Sequence, residues 1–316
     1  MRLWFVACLT ACGFSPAVPR DGAPIDGASD TGSDSGGVPQ SCITSWFGPS
    51  LHFTPRRHLD PLATSHTERD PTLSHNELQI WFQSDRGGGP GGTDVFTATR
   101  SAIDQPFGTP VVFTDASSAQ DEGRYAISAD ELSYAISSSR AGTHGGFDVW
   151  VSHRDTGGEN FPPADNTKLG SVDDGSDQLD PWINNDATRL YYAPTAGGQH
   201  IMLATRSNAM SSFGSPAAMT ELNIGQPTAD PTLFDDELVV VFSTVTDANV
   251  GGATNTDLWY ATRLSISDPF GAPVHLGELS TSNYEGDAWV SADGCHVYFA
   301  AETGGDYDLY QADVTF

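Results

Sequence analysis

The sequence predicts an all-β fold, a five-bladed β-propeller of four-stranded antiparallel blades. One pattern recurs five times, and its copies begin 54, 56, 50 and 57 residues apart, at Asp70, Arg124, Asp180, Asp230 and Asp287. A period of this length, with several strands in each unit, is typical of a propeller or a solenoid. The 33 Gly and 20 Pro residues are spread along the chain and indicate many turns. No segment keeps a helical periodicity for more than about two turns.

Each unit contains four short segments, which we name strands a to d. Strand a opens the unit, as in DPTLSHNE from Asp70, and strand b is an apolar run such as LVVVFS from Leu238. Strand c is a run such as DLWYATR from Asp257. Strand d contains a Phe-Gly or Phe-Pro pair, at Phe107, Phe161, Phe213 and Phe270. Runs rich in aromatic and β-branched residues, bounded by turns rich in Gly and Asp, predict β-strands.

The two ends of the chain are predicted to close the ring together. The fifth unit stops after strand c, because the chain ends at Phe316. The segment WFGPSLHF, at residues 46–53, has the pattern of a strand d but no unit before it. Pairing this N-terminal strand with the C-terminal blade completes that blade and removes an exposed sheet edge. The predicted propeller domain spans residues 42–316.

The first eleven residues predict a lipoprotein signal peptide. Met1 and Arg2 precede the apolar run LWFVACLT, and Leu9-Thr10-Ala11-Cys12 resembles the lipobox of bacterial lipoproteins. The resemblance implies cleavage before Cys12 and lipidation of that residue, with an ordinary secretory signal as the alternative. Residues 12–41 are poor in large apolar side chains and are expected to form a disordered tether. The expected location is the cell envelope, anchored by lipid, at the outer membrane of a cell that has one.

The charge of the chain argues against some classes of partner. It has 41 Asp and Glu residues against 14 Lys and Arg, a formal charge of −27. An acidic surface repels the phosphate backbone of nucleic acids and the headgroups of anionic membranes. We therefore expect no nucleic-acid partner and no membrane contact except through the anchor. Divalent cations, basic proteins and neutral glycans remain compatible, and a monomer is expected.

The repeats resemble a known family. DPTLSHNELQIWFQSDR with TDVFTATR, and GDAWVSADGCHVYFAAETGGDYDLY, look like the Pro-Asp, WD-repeat-like propeller repeats of the TolB-like family. The resemblance covers residues 46–316 and implies an envelope protein that binds other proteins, with no chemistry common to the family. The Asp-Gly turn of such repeats occurs here only at Asp293-Gly294, and the third unit has His200 where strand c usually begins with Asp.

Strand a supplies aligned polar residues that should gather near one mouth of the central channel, because the innermost strands of a propeller line that channel. The candidate binding residues are seven carboxylates: Glu68, Asp70, Glu122, Asp180, Asp230, Glu285 and Asp287. The corresponding positions of other units hold Arg124, Gln178 and Thr228. Carboxylates this close together raise one another's pKa or hold a cation such as calcium. The alternative is structural, in that an Asp before Pro commonly fixes the turn into a strand. No other cofactor is expected.

A second set of aspartates opens strand c after Gly-rich turns. Its members are Asp94, Asp148, Asp257 and Asp308. We expect their carboxylates to accept hydrogen bonds from backbone N–H groups of the preceding turn.

A disulfide is predicted between Cys42 and Cys295, the two cysteines left once the signal peptide is cleaved and Cys12 is acylated. Cys295 lies in the a–b turn of the fifth unit, and Cys42 lies just before the orphan strand d of the same blade. In an up-and-down sheet this turn and the start of strand d lie at the same end. An exported protein also matures where thiols can oxidise. Two free thiols are the alternative.

Two functions of different classes remain open. The first is a non-catalytic binding scaffold for envelope proteins or glycan ligands. The second is a five-bladed glycoside hydrolase, in which Glu68 or Asp70, Glu122 and Asp180 would serve as base or nucleophile, acid and orienting group. Catalytic carboxylates should break the symmetry of the repeat, whereas these follow it, so the sequence favours binding. The chain has no G-x-S-x-G, H-E-x-x-H or C-x-x-C motif.

Overall fold

The computed structural model describes residues 41–142, 144–167, 169–246 and 255–315. The predicted signal peptide, Cys12 and nearly all of the predicted tether lie outside them. The described residues form twenty β-strands and four short 3-10 helices, at Ile43–Phe47, Gly170–Val172, Ala196–Gly198 and Thr220–Leu222. Within these ranges no helix is both long and apolar enough to cross a lipid bilayer.

The strands form five antiparallel sheets, which follow the chain order as blades one to five. Two strands precede the first repeat: β1 (His52–Phe53) and β2 (Arg57–His58). Blade one contains β3 (Glu68–Leu73), β4 (Gln79–Ser84), β5 (Asp94–Thr99) and β6 (Val111–Val112). Blade two contains β7 (Glu122–Ile127), β8 (Ser133–Ser138) and β9 (Asp148–His153). Blade three contains β10 (Gln178–Ile183), β11 (Arg189–Pro194), β12 (Met202–Thr205) and β13 (Ala217–Ala218). Blade four contains β14 (Thr228–Leu233), β15 (Val239–Thr246), β16 (Asn255–Thr262) and β17 (Val274–His275). Blade five contains β18 (Glu285–Val290), β19 (His296–Thr303) and β20 (Asp306–Thr315).

The blades form a closed ring, which confirms the predicted five-bladed propeller. The first strand of each blade contacts that of the next, in the order β3, β7, β10, β14, β18 and back to β3. Apolar side chains fill the spaces between blades. Tyr298 and Ala300 of blade five, for example, pack in one cluster with Ile80 and Phe82 of blade one. The five strands of this inner ring surround the central channel.

Strand d is shorter than the sequence predicts and begins after the Phe rather than at it. The Pro residues in these segments lack the N–H group that a strand ladder needs. In blade two, where Phe161 is followed by two Pro residues, strand d is reduced to a single bridge between Val151 and Asp165. The Phe side chains instead pack under the Arg that follows strand c, with ring centroids 4.2–4.4 Å from the guanidinium carbon in the pairs Arg100–Phe107, Arg154–Phe161, Arg206–Phe213 and Arg263–Phe270.

The N-terminal segment closes blade five, as predicted. β1 and β2 both pair antiparallel with β20, with His52 opposite Thr315 and Arg57 opposite Gln311. Trp46 is 1% exposed and contacts Phe234 and Tyr260 of blade four, with ring centroids 5.3 Å away in both cases. The segment therefore completes the fifth sheet and also fills the space between blades four and five.

The same segment is tied to the a–b turn of blade five. The structure contains a disulfide between Cys42 and Cys295, with a Cα–Cα distance of 4.9 Å. The backbone N–H of Cys42 donates to the carbonyl of Asp293 at 2.8 Å, and the indole N–H of Trp46 donates to the carbonyl of Gly294 at 2.9 Å. These contacts join two parts of the chain that are 253 residues apart.

The a–b turns of blades one to four lack the glycine that is present in blade five. Gly294 has φ 72°, and four non-glycine residues adopt the same left-handed conformation with φ of 53–58°: Glu77, Glu131, Ala187 and Glu237. Two of these glutamates also link neighbouring blades. Glu237 of blade four accepts hydrogen bonds from Arg189 at 2.7 Å and from Tyr191 at 2.9 Å, both in blade three. Buried glutamates that form ion pairs therefore occupy two of the four turns where glycine is absent, at Glu77 and Glu237.

Candidate binding site in the central channel

A cavity of about 350 Å³ lies in the central channel and brings together four of the predicted aspartates. Its lining includes Asp70, Asp180, Asp230 and Asp287, one from each of four blades, together with Arg69 and Tyr284. Asp70, Asp230 and Asp287 are buried, whereas Asp180, Arg69 and Tyr284 are half-buried. The cavity is therefore a carboxylate-rich site with some access to solvent.

A β-bulge in strand a places each aspartate in this cavity. In blade one the pairing register between β3 and β4 shifts between Arg69 and Thr72, and the other four blades have a shift at the matching place. The four aspartates are the residues at this bulge with left-handed backbone conformation, with φ of 53–56°. Asp is one of the few residues that tolerate such a conformation, although it carries a cost. Three of the four also precede Pro, which normally favours an extended backbone.

Arg69 and Tyr284 organise one side of the cavity. The Nε of Arg69 donates to Asp287 Oδ2 at 2.7 Å, and its guanidinium carbon lies 4.7 Å from the centroid of the Tyr284 ring. The hydroxyl of Tyr284 lies 3.1 Å from Asp287 and 3.4 Å from Asp230. Asp287 therefore has a cationic partner, and Tyr284 lies between it and Asp230.

The pKa values of the four carboxyl groups are shifted in different directions. Burial and the charge of Asp287 raise the pKa of Asp70 well above its usual value and also raise the pKa of Asp230. Burial, followed by the charges of Asp230 and Asp70, raises the pKa of Asp180 well above its usual value. Burial works in the same direction on Asp287, but the adjacent Arg69 outweighs it and lowers the pKa of that carboxyl. Three of the four carboxyl groups therefore lose their proton less readily than an ordinary aspartate does.

Blade two departs from the pattern, because Arg124 occupies the aspartate position without a left-handed backbone. The Arg124 side chain is 1% exposed. Its Nη2 donates to Thr232 Oγ1 of blade four at 2.5 Å and to the carbonyl of Ala288 of blade five at 2.9 Å. Two guanidinium groups therefore accompany the four carboxylates, and the group carries a net negative charge when all four ionise.

The predicted glutamates do not line this cavity. Glu68, Glu122 and Glu285 are fully buried and bind the segment that leads into strand a. Glu68, for example, accepts hydrogen bonds from the N–H of Thr64 at 3.0 Å and from Ser84 at 3.1 Å. Each glutamate is also paired with an arginine, in the pairs Arg86–Glu68, Arg140–Glu122 and Arg56–Glu285. With these hydrogen bonds and ion pairs inside the fold, the three glutamates have a structural role.

Two of the cavity residues do not belong to the repeated pattern and were not predicted. Arg69 and Tyr284 come immediately before Asp70 and Glu285, at positions where the other repeats hold unrelated residues. A search for repeated positions cannot find residues that occur only once. Their only marker in the sequence is proximity to the aspartate positions of their own blades.

The cavity could hold a cation on carboxylate oxygens, the ligands that calcium prefers. The residues available are Asp70, Asp180 and Asp230, since Asp287 is already paired with Arg69. The Oδ1 atom of Asp70 is buried and has no hydrogen-bond partner among the described residues. A buried carboxylate oxygen without a partner is costly, and a bound cation would satisfy it.

The glycosidase hypothesis needs two carboxyl groups held apart, about 5–5.5 Å in retaining enzymes and about 6.5–9.5 Å in inverting ones. Here Asp180 and Asp230 line one cavity, and the charge of Asp230 raises the pKa of Asp180. Glu68 and Glu122, two candidates for the catalytic set, lie outside the cavity. The arrangement therefore suits a cluster of carboxylates around one bound group better than it suits an acid and a base on either side of a sugar.

No family model matches the chain, and no curated protein matches it in sequence. Solved structures match it in fold. TolB from Acinetobacter baumannii has a TM-score of 0.51 and 15% identity, and the match covers 81% of this chain and 56% of the TolB chain. The catalytic domain of the Coprinopsis cinerea GH62 alpha-L-arabinofuranosidase has a TM-score of 0.53 and 10% identity, over 84% of this chain and 98% of that one. An endo-arabinase from Bacteroides thetaiotaomicron has a TM-score of 0.54 and 14% identity, over 80% of this chain and 95% of that one.

At these identities the likeness shows the fold alone. The similarity to TolB agrees with the resemblance of the repeats, and membership of the TolB-like family stays a prediction. The alpha-L-arabinofuranosidase and the endo-arabinase have a comparable fold, so fold likeness does not separate binding from hydrolysis.

Proposed function

We propose that the protein is a non-catalytic binding propeller whose channel mouth takes up a cation, with calcium as the candidate ion. The observation that supports this most is that Asp70, Asp180 and Asp230 line one cavity, in which the buried Oδ1 of Asp70 has no hydrogen-bond partner among the described residues. A cation among them would neutralise the charges that burial disfavours. As an exported scaffold, the propeller would bind an envelope protein or a glycan, with the cation fixing the channel mouth.

Removing two of these carboxylates should stabilise the cation-free protein at neutral pH. A raised pKa means that the folded state favours the protonated acid, so stability is lost as the pH rises above the ordinary Asp value of about 3.9. Asn is neutral at every pH and also tolerates a left-handed backbone. In a chelator at pH 7 we expect the double variant Asp180→Asn, Asp230→Asn to melt at least about 2 °C higher than wild type, the shift that roughly 1 kcal/mol gives in a domain of this size. The gain should vanish below about pH 4.

The control is a double variant with the same change in charge outside the channel, Asp155→Asn with Asp268→Asn, two exposed residues. It should melt within about 1 °C of wild type at both pH values. If the channel variant melts lower than wild type at pH 7, the aspartates have a structural role and the proposal is wrong.

Calcium should reverse the order of the melting temperatures of wild type and the channel variant. A ligand that binds only the folded state raises the melting temperature by mass action, and a concentration of 100 Kd adds about 2.7 kcal/mol. Wild type and the exposed-residue control should therefore melt higher in millimolar calcium, whereas the channel variant should not respond. Wild type that hydrolyses arabinan, with the activity lost in Asp180→Asn, would contradict the non-catalytic proposal.

The proposed location is the cell envelope, through a lipid on Cys12. The disulfide between Cys42 and Cys295 supports maturation in an oxidising compartment. In a detergent phase-separation assay we expect wild type in the detergent phase and Cys12→Ser in the aqueous phase or unprocessed. Equal partitioning of the two proteins would contradict the lipid anchor.

A further inference from the structure

Strand c and the segment that follows strand d make a polar contact in each blade, and its composition differs from blade to blade. In blade one, strand c opens with Asp94, and the residue five positions before strand a of the next blade is Ser117. The Ser117 hydroxyl accepts from the N–H of Val95, the next residue of strand c, at 3.2 Å, and Asp94 accepts from the N–H of Gly91 at 3.1 Å. Blade one thus has one carboxylate and one hydroxyl group at this place.

Blade two has a second carboxylate at the corresponding place. Strand c opens with Asp148, and Asp173 occupies the position of Ser117. His144, four residues before Asp148, donates its backbone N–H to Asp148 Oδ2 at 2.7 Å, and its ring Nδ1 contacts Asp173 Oδ2. One ring nitrogen and one oxygen from each carboxylate lie within 4.8 Å of one another.

The carboxylates of this cluster are not satisfied by the protein. Asp148 is fully buried, yet its Oδ1 atom has no hydrogen-bond partner among the described residues, and the same holds for Asp173 Oδ1. The neighbouring Asp177 is a further carboxylate and offers them no donor; its own Oδ1 accepts from the N–H groups of Gly146 and Phe147. Buried oxygens without partners, facing a second carboxylate, call for a cation.

The other blades have different groups at the same contact. In blade four, His275 Nε2 lies 3.4 Å from Asp257 and 3.0 Å from the Ser280 hydroxyl. In blade five, His58 Nε2 lies 3.3 Å from Asp308, and the other ring nitrogen, Nδ1, lies 2.5 Å from Asp60, so the two carboxylates contact different ring nitrogens. In blade three, the amide of Asn223 meets His200 at 3.3 Å. Among the described residues, only blade two brings a histidine nitrogen and the oxygens of two carboxylates within 4.8 Å of one another at this contact.

A second group of potential ligands shows what a satisfied cluster looks like. Glu77, Asp293 and His296 also lie close together. However, one Glu77 oxygen is 3.0 Å from His296 Nδ1, and the other accepts from Tyr298 at 2.8 Å. This cluster needs no ion, which distinguishes it from the one in blade two.

We propose that His144, Asp148 and Asp173 form a binding site for a divalent transition metal ion of the zinc class. One imidazole nitrogen and two carboxylate oxygens are ligands that zinc accepts, and water can complete the set. The His144 side chain is 72% exposed, so the ion has a route from solvent. The site is separate from the aspartates of the channel, which are all-oxygen ligands suited to calcium.

The test is a titration of the chelator-treated, full-length protein with cobalt(II), monitored by visible absorption and by calorimetry. Wild type should bind with ligand-field bands that include nitrogen coordination, and zinc should displace the cobalt. Asp148→Asn and His144→Gln should each weaken binding at least tenfold. Because the His144 side chain is largely exposed, His144→Gln keeps the test decisive even if Asp148→Asn fails to fold.

Asp94→Asn is the matched control, since it changes the same position of blade one, where Ser117 replaces the second acid. It should bind cobalt as wild type does, as should the channel variant Asp180→Asn, Asp230→Asn. Wild type that binds no cobalt, or binding that is unchanged in both His144→Gln and Asp148→Asn, would overturn the proposal. The channel variant separates this outcome from calcium binding, because it lacks two channel aspartates but keeps His144, Asp148 and Asp173.

Discussion

A chain that lacks residues 46–58 should lose cooperative unfolding and aggregate. The deletion removes β1 and β2, which pair with β20, and leaves an unpaired edge ten residues long. Exposed edges of this kind favour association between chains. It also removes Trp46, which is 1% exposed between blades four and five. Loss of a buried Trp side chain alone costs about 3–5 kcal/mol, a large part of the roughly 5–15 kcal/mol that stabilises a typical domain.

The matched control deletes residues 13–37, within the predicted tether, and should leave the melting temperature unchanged. Thermal unfolding followed by near-UV circular dichroism and by light scattering measures both effects. If the chain without residues 46–58 melts cooperatively at the temperature of wild type, the N-terminal strand does not close the ring and our account of the fold fails.

Reduction of the disulfide between Cys42 and Cys295 has the second largest expected effect. The bond spans 253 residues, and the chain-entropy argument assigns a loop of that length about 5 kcal/mol as an upper value. The bond acts mainly on the unfolded state, because β1, β2 and Trp46 hold the same ends together in the folded protein. We therefore expect the folded ring to persist after reduction, with a lower free energy of unfolding.

Urea unfolding with and without reductant measures this effect, and the double variant Cys42→Ser, Cys295→Ser is the control. The midpoint of wild type should fall to that of the variant when reductant is added, and the variant should not respond. An unchanged wild-type midpoint in reductant would show that strand pairing alone holds the chain ends together.

The fold could be predicted from the sequence because its signals repeat. Five copies of one pattern fix the number of blades, and the orphan strand d near Trp46 indicates how the ring closes. The Phe-containing segments were harder to interpret, since their Pro residues prevent the full ladder that their apolar pattern suggests. The a–b turns also differ from a simple rule, because Glu77 and Glu237 adopt the conformation in which glycine is common and gain buried partners there.

The candidate site was only partly predictable, for a local reason. Residues two apart on a regular strand face the same side, which would put Glu68 and Asp70 in the channel together. The bulge at Asp70, with φ 55°, breaks this alternation. The aspartate faces the cavity, whereas Glu68 binds Thr64 and Arg86 away from it. A bulge in every blade therefore divides the predicted set of seven carboxylates into cavity residues and structural ones.

The most direct test of the proposed function is a calorimetric titration of calcium into the full-length protein at pH 7. Our account predicts saturable binding to wild type and to the exposed-residue control, and its loss in the double variant Asp180→Asn, Asp230→Asn. The absence of binding to wild type, or equal binding to the channel variant, would contradict the proposal that the aspartates of the channel mouth hold a cation.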